Sequence, residues 1–200
     1  MEVTPAHPAL LVVDVQVDFC PGGALAVKGG DEVVPGLNRV IETFEGRGLP
    51  ILFTRDWHPA DHISFTSRGG PWPPHCVQGT PGADFNPGLR IPRTAVIISK
   101  GDSRGAEAYS GFQGTDLAKR LRSLGIDEIF LGGLTTEYCV RESTLDARNA
   151  GYSVTVIEDC IRAVNVKPGD GERALADMRS GGAKFATSSE VVRKMASTQQ

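Results

Sequence analysis

The run Glu128-Ile129-Phe130-Leu131-Gly132-Gly133 reads as a buried strand, and Cys139 follows it just ahead of an amphipathic helix over Val140 to Ala150. A thiol at such a strand-to-helix turn sits where the helix N-terminal N–H groups lower its pKa and can bind an oxyanion. The same pattern recurs along the chain. Asp14 follows the apolar run Ala9-Leu10-Leu11-Val12-Val13, Asp56 follows Ile51-Leu52-Phe53-Thr54, and Lys100 follows Ala95-Val96-Ile97-Ile98-Ser99. Four reactive side chains at the carboxyl ends of four parallel strands predict a single site along the edge of an α/β sheet, where such folds bind ligands. This is the pattern of an enzyme with a nucleophilic cysteine.

Between these strands the apolar positions switch to helical spacing. Val33, Val34, Leu37, Val40, Ile41 and Phe44 form a stripe over residues 31–47, ended by Gly46 and Gly48. Leu117, Leu121 and Leu124 repeat the pattern over 116–124, closed by Gly125. Tyr152-Ser153-Val154-Thr155-Val156-Ile157 is a further strand, ahead of a helix at about 170–180, a short strand Lys184-Phe185-Ala186-Thr187 and a closing helix from Ser188 to Met195. Apolar strands alternating with helices predict a three-layer α/β/α sandwich around a central, mostly parallel sheet. With no linker and no repeat, the expectation is one domain over residues 1–200.

The formal charge of −3 and pI near 5.8 give no electrostatic basis for binding nucleic acid or an anionic membrane surface. No apolar run approaches the roughly 20 residues that span a bilayer. The start, Met1-Glu2-Val3-Thr4-Pro5, has neither a basic nor an apolar leader segment, so a cytoplasmic location is expected. Cys20, Cys76, Cys139 and Cys160 are widely spread and read as reduced thiols, at least three of them packing residues. An apolar closing helix leaves room for a homo-oligomer.

Residues 58–92 break the rhythm: they are rich in proline and have no period. Loops of this length in compact domains are functional or disordered. Trp72, His75 and Cys76 among the prolines favour an ordered lid over the sheet edge. Asp56-Trp57-His58 sets a carboxylate and an imidazole at i and i+2 past a strand end, where alternate side chains share a direction. His62 and His75 follow on the lid, so that three of the four histidines fall in this segment. Asp with His suits one divalent ion such as zinc, iron or manganese, with open positions for a substrate. The competing reading is that these residues cap turns, with His62 the weakest ligand candidate.

A neutral-pH thiol needs a base or a cation nearby. No histidine remains to pair with Cys139, which leaves Asp14 and Lys100. A desolvated carboxylate can accept the thiol proton, and the ammonium can balance the remaining negative charge. The bland alternatives are a capping role for Asp14 and a solvent-facing Lys100. Gly132-Gly133 allows a tight turn able to aim two N–H groups at one point, the requirement for an oxyanion hole.

These segments resemble the motifs of the isochorismatase-like cysteine hydrolases: Val13-Asp14-Val15-Gln16-Val17-Asp18-Phe19, Thr54-Arg55-Asp56-Trp57-His58, Trp72-Pro73-Pro74-His75-Cys76 and Gly132 to Val140. The matches run in order from about residue 9 to 160. The likeness is strongest to the nicotinamidase and pyrazinamidase group, through the metal set, Gly79-Thr80-Pro81-Gly82-Ala83, and Lys100-Gly101 followed by Tyr109-Ser110-Gly111-Phe112. The resemblance implies a catalytic triad of Asp14, Lys100 and Cys139, and metal ligands Asp56, His58 and His75, with His62 near a histidine that some members use. It implies a substrate pocket of Phe19, Trp72 and Tyr109, and an oxyanion hole from the backbone N–H groups of Thr135 and Cys139. The Leu134–Thr135 peptide matches the family's cis bond. Val17 and Tyr138 depart from the motifs and bear on pocket shape, and a shortened Pro59-Ala60-Asp61 moves His62.

The activity implied is hydrolysis of nicotinamide, and of pyrazinamide, to the acid and ammonia through a cysteine thioester, in NAD salvage. A metal-independent amidase of the same family acting on an N-carbamoyl or ureido compound would keep the thiol and dispense with the metal. A catalytically silent metal-binding protein would keep the metal alone.

Overall fold

The computed structural model describes residues 6–197. Its sheet has six strands: β1 (Pro8–Val13), β2 (Ile51–Asp56), β3 (Val96–Lys100), β4 (Glu128–Leu134), β5 (Ser153–Arg162) and β6 (Lys184–Ala186). They lie in the order β3-β2-β1-β4-β5-β6, and every neighbouring pair is parallel. Five helices cover the sheet: α1 (Val33–Gly46), α2 (Leu117–Ser123), α3 (Arg141–Asn149), α4 (Asp170–Ser180) and α5 (Ser188–Ser197).

The two faces of the sheet carry separate cores. Along β1, Leu10 and Val12 point into a cluster with Leu37, Ile41 and Phe44 of α1 and with Val191 and Met195 of α5. Ala9, Leu11 and Val13 point the other way, onto Leu117 and Leu121 of α2, Ala147 of α3 and Met178 of α4. This alternation of side chains in a strand buried on both faces is why β1 and β4 read as unbroken apolar runs. The apolar face of α5 that left room for a homo-oligomer packs against α1 inside this first core. Among the described residues no helix is long and apolar enough to cross a membrane.

The strand order reverses beside β1. The chain runs outward through β2 and β3, then returns to place β4 on the other flank of β1. A crevice opens at such a switch point, beyond the carboxyl ends of the two diverging strands. Here those ends are Val13 and Leu134, one residue before Asp14 and five before Cys139. Gly133, paired with Val13, has φ +134, and any Cβ there would run into the Val13 backbone. Glycine lets β1 and β4 approach this closely.

Two elements differ from the sequence expectation. β5 extends to Arg162 because it bulges: β4 advances from Leu131 to Gly133 while β5 advances from Val156 to Ile161. The bulge turns Glu158 and Asp159 outward, and their charges hide the continuing strand from a reading based on apolarity. The helix expected from Val140 is preceded by a wide turn over Thr136–Val140 with π-type spacing.

Candidate active site

The turn that carries Cys139 is built on Thr135, whose carbonyl accepts N–H bonds from both Tyr138 (3.2 Å) and Val140 (3.2 Å). The Leu134–Thr135 peptide is cis. Cys139 is buried, and its sulfur lies 3.3 Å from the Lys100 ammonium. Lys100, the last residue of β3, is wholly enclosed. Its Nζ lies 2.8 Å from Asp14 Oδ2, donates to Ala108 O at 3.2 Å, and also contacts Asp56 Oδ1. Asp14 sits just past β1 with φ 47, a left-handed conformation uncommon for a residue with a side chain. Its Oδ1 accepts a 2.6 Å hydrogen bond from Thr54 Oγ1.

Burial and charge set the protonation states of this group. Burial raises the Asp14 carboxyl, and the attraction of Lys100 only partly offsets it, so Asp14 lies above the ordinary carboxylate range. For Lys100 burial acts against the charge, but Asp14, Asp56 and Cys139 outweigh it and hold the ammonium well above its usual range. Burial also pushes the Cys139 thiol well up, against Lys100 and together with Asp14 and Asp56. This corrects the expectation of a thiol lowered by its turn: the helix end is real, but desolvation wins. The resting group is a thiol beside a carboxylate of raised pKa and a fixed cation.

Asp56, the last residue of β2, and His58 and His75 offer ligand atoms that all lie within 4.8 Å of one another. His58 Nδ1 is 2.8 Å from Gly101 O, and His75 Nδ1 is 2.8 Å from Pro73 O. Those carbonyls can only accept hydrogen bonds, so Nδ1 of each ring carries the N–H and Nε2 is left to offer its lone pair, as in metal-binding histidines anchored through the other nitrogen. Gly101 has φ +62, and a Cβ there would lie 2.7 Å from His58 Nδ1. The cluster therefore provides two oriented imidazoles and a carboxylate, a donor set that fits a divalent metal ion. His62 stacks on His58 with ring centroids 4.2 Å apart. Its own nitrogens face Ser64 Oγ (2.7 Å) and Ala106 O (3.0 Å).

Both groups open into one pocket, which Phe19, Trp72, Tyr109, His58, His75, Thr135 and Cys139 help to line. Trp72 Nε1 donates to Tyr109 OH at 3.0 Å. Tyr138 meets the Trp72 ring edge-on at 5.0 Å and lies 5.3 Å from that of Tyr109. Within the proline-rich segment Phe65 and Cys76 are fully buried, and His58 N–H bonds to Cys76 O at 3.0 Å.

Asp14, Lys100 and Cys139, the ligand candidates Asp56, His58 and His75, and Phe19, Trp72 and Tyr109 are thus brought together at this one sheet edge. Others were missed. Glu107, Leu25 and Val164 also line the pocket, beside Tyr138, whose departure from the motif bore on pocket shape. Gln16 is wholly buried, accepting from Asp56 N (2.7 Å) and donating to Asp56 O (2.8 Å) and Ala83 O (2.9 Å), which clamps β2 to the lid. Its signal was available: an amide side chain three residues past a strand end, beside the core residue Val15.

With this geometry in hand, the sequence profile of the isochorismatase domain matches residues 8–190. The chain belongs to the isochorismatase family. It is 41% identical to the nicotinamidase of Escherichia coli (strain K12), over 90% of this chain and 94% of that protein. It is also similar to the crystal structure of the pyrazinamidase of Pyrococcus horikoshii in complex with zinc, with 51% identity and a TM-score of 0.87, covering 90% of this chain and 99% of that one. A third likeness is to PnC1 of L. infantum in complex with nicotinate, at 37% identity and TM-score 0.86, covering 94% and 96%. The three-layer architecture is shared with these isochorismatase-family structures.

Proposed function

We propose that this member of the isochorismatase family hydrolyses nicotinamide to nicotinate and ammonia, accepts pyrazinamide as a second substrate, and serves NAD salvage in the cytoplasm. The observation that carries this reading is the meeting of two groups in one aromatic pocket. Asp14, Lys100 and Cys139 lie at 2.8 and 3.3 Å contacts, and the Asp56–His58–His75 ligand set faces the same space.

Asp56, His58 and His75 would hold one divalent ion, zinc, iron or manganese, which when bound supplies a Lewis-acid anchor for a pyridine nitrogen. Phe19, Trp72, Tyr109 and Tyr138 enclose a flat ring. Anchoring the ring places the carboxamide carbon at Cys139 Sγ, which is catalysis by positioning. Because the resting thiol is protonated, its proton passes to Asp14 as the sulfur attacks. The Thr135 and Cys139 N–H groups receive the oxyanion. Asp14 returns the proton to the leaving nitrogen, and ammonia departs from a Cys139 thioester. Asp14 then takes a proton from water, whose oxygen attacks the thioester carbon. Nicotinate leaves and Cys139 recovers its proton. Lys100 stays charged throughout, so the site never holds an unbalanced carboxylate.

The test is ammonia release from nicotinamide beside ureido and aliphatic amides, with and without prior chelation. Release from nicotinamide that falls on chelation and returns with added metal is the expected result. Turnover of the other amides alone, indifferent to chelation, would remove the nicotinamide assignment.

A further inference from the structure

We propose that Glu137 is a positioning residue that holds one wall of the pocket, and thereby sets the size of ring the site accepts; this rests on the functional reading above. The wall is Val164, which lines the pocket and packs against the core together with Leu25. Val164 lies beyond the end of β5, so no strand pairing fixes its backbone. The Glu137 carboxylate does so instead. Its Oε2 accepts the Val164 N–H at 3.2 Å, and its Oε1 accepts the next N–H, that of Asn165. Backbone N–H groups bonded to a carboxylate are among the stronger hydrogen bonds of a protein.

Past these two N–H groups the chain turns at Asn165, which has φ 51, a left-handed conformation that asparagine tolerates better than most residues. The Asn165 side chain then accepts the Gly171 N–H at 2.9 Å, which ties the far side of the loop to the start of α4. The tip beyond, at Val166, is 57% exposed. Glu137 also belongs to the turn that carries Cys139 two residues later. One side chain therefore ties this wall of the pocket to the turn that carries Cys139. A residue that only stiffened the turn would act on the sulfur. One that holds the wall acts on ring binding and on size selection.

Glu137→Ala separates these roles. Losing two charge-assisted bonds frees the wall, and we expect KM for nicotinamide to rise about tenfold, kcat to stay within about threefold, and selectivity for a fused-ring amide such as quinoline-3-carboxamide to rise about tenfold over nicotinamide. Val164→Ala should reproduce the shift, and the double variant should add nothing further, because both changes act on one wall. Asn165→Gly loosens the same loop without touching the turn and should move KM the same way. Hydrogen exchange provides a readout that needs no substrate: the Val164 and Asn165 amides should be protected in the native chain and lose that protection in Glu137→Ala. Unchanged protection, strictly additive effects, or a fall in kcat at constant KM and selectivity would each overturn the proposal. A wild-type chain silent on nicotinamide would refute the functional reading, while the exchange result would still decide whether Glu137 holds the loop.

Discussion

Thr54→Val removes a single interaction, the 2.6 Å hydrogen bond from Thr54 Oγ1 to Asp14 Oδ1, and changes little else in shape. Both residues are fully buried, so no solvent replaces the lost donor. A hydrogen bond to a charged group contributes roughly 1.5–3 kcal/mol. At about 1.4 kcal/mol per pKa unit, its loss should raise the Asp14 carboxyl by about 1–2 units beyond the rise that burial already causes. The sign follows from the role: a protonated Asp14 cannot take the thiol proton, so activity is lost as pH falls through its pKa. A higher pKa moves that loss to higher pH. The acid limb of kcat/KM against pH, measured by ammonia release with metal in excess, should therefore shift upward by about 1–2 units. Stability should change in step. Burying Asp14 ionised costs most above the unfolded carboxylate pKa, so the variant should be most destabilised near neutrality and less so as acid protonates the group. The limb reports the coupled group of Asp14, Lys100 and Cys139 rather than one residue. An activity loss equal at every pH, with the limb unmoved, would refute the reasoning.

Other outcomes follow from the same geometry. Lys100→Met strips the cation from between Asp14 and Asp56 and should cost about 3–5 kcal/mol in urea unfolding at neutral pH, since it leaves buried carboxylates uncompensated; an unchanged midpoint would contradict the buried pairing. Gly101→Ala drives a Cβ into the His58 ring and should weaken zinc binding about 10–100-fold in chelator competition, the range typical for disturbing a ligand's anchor; equal affinity would show that Gly101 does not position His58. Iodoacetamide at neutral pH should modify Cys139 ahead of the other thiols, because it lines the pocket, and nicotinamide should protect it. Cys160, pushed up to about 12 by burial and Asp159, should react only on unfolding, and labelling of Cys160 in the native chain would contradict this.

The strand-end residues were legible because parallel strands announce themselves twice, once by an apolar run and once by the polar residue that ends it. Asp14, Asp56 and Lys100 each close such a run on three adjacent strands, and the reversal of strand order brings Cys139, past the end of β4, beside them. The parts that stayed hidden depend on distances between segments far apart in sequence. Thr54 reads as one more core residue until β2 is seen beside β1 with its hydroxyl on Asp14. Glu137 reads as a polar turn residue until the loop after β5 arrives with its N–H groups. The thiol pKa misled for a related reason. The turn is local and visible in the sequence, whereas the desolvation that dominates it comes from the whole fold.

Hydrolysis through Cys139 requires a thioester between its sulfur and the nicotinoyl group. The most direct test is to mix the chain with nicotinamide, quench in acid within a single turnover, and locate any added mass by peptide mapping. A nicotinoyl adduct on the peptide bearing Cys139, absent in Cys139→Ala, is the predicted result. Full ammonia release with no adduct there, and turnover retained by Cys139→Ala, would contradict it.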